Sequence, residues 1–245
     1  MLPHAGYVFS GAVAGATLAG MRLPRRLIIL CPNHTGRGRE LGVWPGGAWL
    51  TPLGPVAVDE PLATALAGCG GGFAPDVHSH LGEHSIEVLL PFLQVALEEA
   101  EHPDGRMLTV PVCVGTRHAG TLARAGRALA ALLARPENAD VGLVVSSDMN
   151  HYEDERRTMQ KDALALERAL AADADGLLRV VEEENISMCG AAPLALALYA
   201  ARGIGSVRVE LVAHDTSASA SGDTRHTVGY AGLRLLLARG ATVAA

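Results

Sequence analysis

An α/β fold with a mostly parallel central sheet and helices on both faces is what this sequence predicts, and three observations predict it. Short, wholly apolar runs such as Leu27-Ile28-Ile29-Leu30-Cys31 and Val141-Gly142-Leu143-Val144-Val145 read as strands buried on both sides. Segments with helical spacing of apolar residues alternate with them. Apolar residues make up 49% of the 245, enough for a substantial core. No linker, repeat or composition shift divides the chain, so residues 1–245 read as a single domain. In such sheets ligands bind beyond the carboxyl ends of the strands, which directs attention to whatever follows each buried run.

Taken in order, the run at 27–31 is ended by Pro32-Asn33. Residues 48–51 and 55–58 form two short strands joined at Leu53-Gly54, and Asp59 caps a helix that reaches about Ala67. A glycine-rich loop follows over 68–75. Ile86, Leu89, Leu90, Leu93 and Leu97 give residues 85–99 a helical stripe, which Pro91 should kink or break. A strand at 107–114, a helix at 117–134 and the strand at 141–145 come next. Helices are expected at 155–172, 174–184 and 190–201, the last ended by Gly203. Closing strands at 207–213 and 227–236 should complete the sheet, with a Ser- and Gly-rich loop over 215–223 between them.

The formal net charge is −6 and the basic runs are no longer than two or three residues, so no nucleic-acid footprint is expected. No apolar stretch approaches the roughly 20 residues that span a bilayer. The N-terminus lacks the pattern of a signal peptide. The four cysteines, Cys31, Cys69, Cys113 and Cys189, include no CxxC pair. The expectation is a reduced, cytoplasmic protein with no membrane or nucleic-acid partner.

Four polar clusters carry donors suited to chemistry. Asn33-His34-Thr35-Gly36 and Ser146-Ser147-Asp148-Met149-Asn150-His151 directly follow buried strands. Pro3-His4-Ala5-Gly6-Tyr7 opens the chain, and Cys189-Gly190 sits at a helix start, where a thiol is biased toward thiolate. A lone histidine after a strand is more often a hydrogen-bonded structural residue than a ligand, and a lone cysteine before a helix is more often inert. Convergence of several on one rim changes that: two imidazoles and one anionic donor suit iron, zinc or copper and leave coordination positions open. Asp148 and His151, three residues apart, read as a carboxylate beside an acid/base imidazole, or more plainly as a capping aspartate and an exposed histidine. Glu83-His84-Ser85-Ile86-Glu87 reads as a charged helix start or as support for a ligand or substrate. His78-Ser79-His80 with His84 resembles the zinc motif of metallo-β-lactamase-like hydrolases, one residue too long and with Glu83 for the aspartate.

In this order the clusters resemble the Memo family, also called AmmeMemoRadiSam system protein B. The matching segments are Pro3-His4-Ala5-Gly6-Tyr7, Pro32-Asn33-His34, Glu83-His84-Ser85-Ile86-Glu87 with Leu90-Pro91, Ser146-Ser147-Asp148 with His151, Cys189-Gly190, and Gly222-Asp223 with Val228-Gly229-Tyr230. The resemblance implies a fold shared with the LigB-like class III extradiol dioxygenases. It implies one divalent metal, Fe(II) first and copper or zinc next, held by His4, His34 and Cys189. His151 then matches the acid/base histidine with Asp148 near it, and Glu83, His84, Glu87, Tyr7 and Asp223 support the metal or the substrate. The implied partners are a small-molecule or peptide substrate and radical-SAM and AMMECR1-like proteins.

Two departures matter. Cysteine stands where the dioxygenases have glutamate, which shifts metal preference toward softer ions and leaves ring cleavage unassured. Relatives also carry several dozen residues before the first motif, including a strand leading into it, whereas only Met1 and Leu2 precede Pro3 here. The chain therefore reads as a short member or one whose start lies further upstream, and His4 is expected on a flexible end that weakens the site. Three functions remain open at this point: a metal-dependent oxidoreductase, a non-catalytic metal- or peptide-binding protein on a degenerate dioxygenase fold, and a zinc hydrolase built on His78, His80 and His84.

Overall fold

The computed structural model describes residues 1–99 and 106–239. Its main sheet is built around β1 (Arg26–Pro32), flanked in parallel by β6 (Leu108–Val114) and β7 (Val141–Val145). Beyond β6 lie β4 (Gly54–Val58), also parallel, and β3 (Ala48–Thr51), antiparallel to it, giving the order β3-β4-β6-β1-β7. Two short strands, β2 (Leu41–Val43) and β5 (Ala74–Pro75), extend one end of β6.

Alternation along β1 explains the layers. Ile28 and Leu30 face one core, with side chains from α2 (Glu60–Gly68), α4 (Ala119–Leu133) and α7 (Ala191–Ile204). Residues of α5 (Glu155–Leu170) and α6 (Ala174–Glu183) join that core. Leu27, Ile29 and Cys31 face a second core, covered by α1 (Tyr7–Leu18) and α3 (Leu90–Glu99). Both faces of the strand are thus dry, as its unbroken apolar run requires. Asp59 caps α2 by accepting from Leu62 N, and its other oxygen binds Arg26. Pro91 breaks its segment: a 3-10 turn at Glu87–Leu89 precedes α3, and the proline falls in the first turn of the new helix, where no intrahelical N–H is needed.

The closing strands depart from expectation. They do not complete the main sheet but form a second, antiparallel one with the order β8-β10-β9, from β8 (His151–Glu153), β9 (Gly205–Thr216) and β10 (Thr227–Arg239). Consecutive strands joined by a short connection pair antiparallel, whereas a parallel neighbour needs a long crossover. The connection contains a short helix, α8 (Ala218–Ser221), inside the segment read as loop.

The N-terminus also corrects the sequence reading. Leu2 N donates to Val145 O at 2.8 Å and Leu2 O accepts from Ser147 N at 2.9 Å. Met1 exchanges bonds with Leu233 in both directions, at 2.7 and 3.1 Å. Two residues therefore bridge the edge of the main sheet to β10, and His4, only 2% exposed, is not on a loose end. Helix α1 then starts at Tyr7 on Gly6, with no side-chain cap.

Candidate metal centre

Three segments bring donors to the carboxyl end of the main sheet. His4 arrives on the bridging segment, His34 two residues past β1, and Cys189 just before Gly190, the N-cap of α7. One ligand atom from each lies within 4.8 Å of the others.

The hydrogen bonds behind the rings fix which nitrogen faces inward. Ser146 Oγ donates to Ser85 O at 2.7 Å, so at 2.7 Å from His4 Nδ1 it must accept. His4 therefore carries its proton on Nδ1 and points the Nε2 lone pair at Cys189 Sγ, 3.4 Å away. His34 Nδ1 lies 2.9 Å from Glu83 Oε1, and a carboxylate can only accept, so its Nε2 is free as well. Glu83 also accepts from the backbone N–H groups of His34, His84 and Ser85 and from the Ser85 hydroxyl.

Electrostatics follow from this burial. Burial, then the neighbouring His34 and His84, lower His4 to about 3, so its ring is neutral. Burial pushes Glu83 up, but hydrogen bonds from His34 and Ser85 outweigh it and bring the carboxyl to about 2. The Glu83 hydrogen bond in turn raises His34. Burial, with Asp148 adding to it, pushes the Cys189 thiol up to about 12. Burial thus opposes the bias toward thiolate expected at a helix start.

Gly190 lets this loop close. Its N–H donates to Ser147 Oγ at 3.0 Å, while Asp148 N donates to Cys189 Sγ at 3.2 Å. A Cβ on Gly190 would lie 2.3 Å from Ser147 Cβ and 2.5 Å from Ser146 O, closer than atoms tolerate.

Asp148 is not the partner of His151. Its Oδ1 accepts from His4 N at 2.7 Å, its carboxylate stands 3.9 Å from His4 Nε2, and burial raises it to about 6 against the backbone bonds it receives from His4 and Ala5. His151 is held by Ser187, whose carbonyl takes the Nδ1 proton at 2.9 Å and whose hydroxyl accepts from His151 N at 2.7 Å. Asn150 Oδ1 in turn accepts from Ser187 N and Oγ, both at 3.1 Å. Burial lowers the His151 ring, which is close enough to interact electrostatically with His34 and His4. Sequence reasoning missed Ser187 and the use of Asn150. Their signal was position alone, two residues before Cys189 and one before His151.

The other candidates divide. His84 packs with both ligand rings, its centroid 5.5 Å from His4 and 5.1 Å from His34. Tyr7 and Glu87 stand further out on exposed surface, Tyr7 against Phe92 with centroids 5.0 Å apart. Asp223 binds Arg225, and among the described residues no hydrogen bond ties it to the cluster. The hydrolase reading fails on geometry. His80 is buried between Trp44 and Trp49 with Nε2 on Gly42 O, and His78 projects to solvent beside Asp76. Among the described residues neither joins a group of three metal-competent side chains.

Comparison with known proteins places the chain in a family. A MEMO1 family protein of Methanopyrus kandleri is 39% identical over 234 residues, covering 94% of this chain and 80% of that one. One from Sulfurisphaera tokodaii is 36% identical over 237 residues, covering 96% and 81%. Among solved structures, an uncharacterized protein of Escherichia coli K12 superposes with a TM-score of 0.52 at 14% identity, over 88% of this chain and 89% of that one, which shows a shared fold. The family model described as Memo-like protein matches residues 1–234, and the chain belongs to the Memo family.

Proposed function

We propose that this protein binds one divalent metal through His4 Nε2, His34 Nε2 and Cys189 Sγ, and that it is a non-haem oxidoreductase with Fe(II) as first choice and copper or zinc as alternatives. The carrying observation is that both imidazoles are held from behind, by Ser146 and Glu83, with Nε2 left as the free nitrogen of each, and that one donor atom of each ring lies within 4.8 Å of the other and of one thiol. Metal-ligating histidines are almost always held in this way, with the other ring N–H donated to a fixed acceptor. The donor set fits a borderline or soft divalent ion, and bound iron or copper, unlike zinc, would supply a redox-active centre with open positions for substrate and O₂.

The rest of the chemistry belongs to the chain. His151, with Nδ1 committed to Ser187, keeps Nε2 free to accept or return a proton beside the open face. Asp148 holds the His4 backbone and adds a titratable carboxyl to the same wall. A likeness to extradiol dioxygenases rests on the two histidines, the third anionic donor and the separate acid/base histidine. The thiol in the carboxylate position favours a second reading, a metal-binding or peptide-binding protein without turnover.

Anaerobic reconstitution with Fe(II) tests the site. One ion per chain is expected, with loss of binding in His34→Ala and Cys189→Ala; full stoichiometry in either variant would refute the ligand set. Oxygen uptake with catechols and peptides then separates the two readings, since substrate-dependent consumption removes the pure binding role.

A further inference from the structure

His84 packs against both ligand rings of the centre without belonging to the ligand trio. It stands between His4 and His34, with ring centroids at 5.5 and 5.1 Å, and the two ligand rings are themselves 5.5 Å apart. Three imidazoles on one tetrahedral ion, each with a metal–nitrogen bond of about 2 Å and about 1.1 Å more to the ring centre, hold their centroids roughly 5 Å apart. The three rings already have that spacing.

Their orientation is not yet that of a closed site. His84 is stacked on His34 at 22°, and two offset parallel rings cannot both aim in-plane at one ion. Turning the ring is cheap. The side chain is 55% exposed, and its nearest ion-pair partner, Glu83 Oε1, is 3.7 Å from Nδ1, too far for a hydrogen bond. The main chain beneath it is fixed, because His84 N donates to Glu83 Oε1 at 3.0 Å and His84 O accepts from Val88 N at 3.1 Å. A mobile ring on a fixed anchor therefore hangs over the open side of the trio.

A separate second metal site is the competing use, since His34, Glu83 and His84 also bring ligand atoms within 4.8 Å. Glu83 rules it out. Its Oε1 already accepts from His34 Nδ1, His84 N, Ser85 N and Ser85 Oγ, and its Oε2 from His34 N. An ion there would have to displace the bonds that orient His34.

We infer that His84 is a fourth, exchangeable ligand of the same ion, turning in to close a His-His-His-Cys shell and out to admit an exogenous donor. This rests on the His4-His34-Cys189 reading and adds the residue that closes it. Closure by a neutral imidazole leaves the charge of the site unchanged, and its exposure makes it the ligand an incoming donor can displace at least cost.

Co(II) is the probe, in the full chain, with affinity read by chelator competition and geometry by the visible d–d bands. Wild type should bind one Co(II) with the intense bands of a four-coordinate site, unchanged by added imidazole. His84→Ala should still bind one ion, with affinity lower by about tenfold to a hundredfold. Its bands should weaken as water enters, and millimolar imidazole should restore both readouts. Equal melting temperatures of the metal-free proteins control for folding. Wild-type affinity and spectrum in His84→Ala, or an imidazole response in wild type equal to that of the variant, would overturn the inference and leave the trio standing. Failure of wild type to bind Co(II), or retention of Co(II) by His34→Ala, would overturn both.

Discussion

At the residue scale, the centre is decided by what stands behind the ligands. Ser146 is fully buried and does two things, accepting from His4 Nδ1 and donating to Ser85 O. Replacing it by alanine leaves His4 free to swap tautomers and turn a proton toward the metal position. Ser146→Ala should therefore lower metal affinity by about tenfold to a hundredfold while the fold survives. Calorimetric titration of wild type and variant checks this, and equal affinity would show that the tautomer is set elsewhere. Of the candidate ligands, His34 and Cys189 were legible from the residues, one after a buried run and one before a helix, whereas His4 was legible only through the family resemblance. The burial that pushes the thiol upward was not legible, since no local pattern reports it.

At the scale of elements, the site is a close meeting of two loops, residues 146–151 and 185–190. Gly190 N binds Ser147 Oγ and Ser187 binds His151, so the loops are zipped along their length. Gly190→Ala should push them apart, costing about 1–3 kcal/mol in stability and moving Cys189 out of reach. Thermal melts and metal content measure both, and an unaltered metal content would show that Cys189 is positioned independently of this contact. The wholly apolar strands β1 and β7 could be read directly because both faces are buried. Helix α1 escaped notice because its small residues, Gly11, Ala12, Ala14, Gly15 and Ala16, give no clear stripe and Gly6 offers no cap. The separate pairing of β9 with β10 was equally hidden, since alternation marks a strand without naming its neighbour.

Over the whole molecule, pH should act through carboxylates that the fold holds ionised. Asp76 illustrates the sign. Burial pushes it up, but backbone bonds from Arg39 and His78 prevail and lower it to about 2, against an ordinary 3.8. Its stabilisation is therefore complete above the ordinary value and is lost as pH falls through the lowered one. The melting temperatures of wild type and Asp76→Asn should differ clearly at pH 5 and converge toward pH 2. A gap that stays constant would show that the charge on Asp76 contributes nothing. Convergence of the three ligands was the least legible feature, because residues 4, 34 and 189 meet only through the topology of the sheet.

The two-residue bridge at the N-terminus has a consequence for the timing of synthesis. His4 is placed by Met1 and Leu2, and Met1 is fixed by Leu233, near the far end of the chain. A nascent chain that has emerged through α7 already carries all three donors and the bonds of Leu2 to Val145 and Ser147, but Met1 still lacks its partner Leu233. Chains tethered to the ribosome with residue 204 just clear of the exit tunnel should bind the ion more weakly than chains with residue 239 clear of it. The tight site would then be completed when β10 closes on Met1.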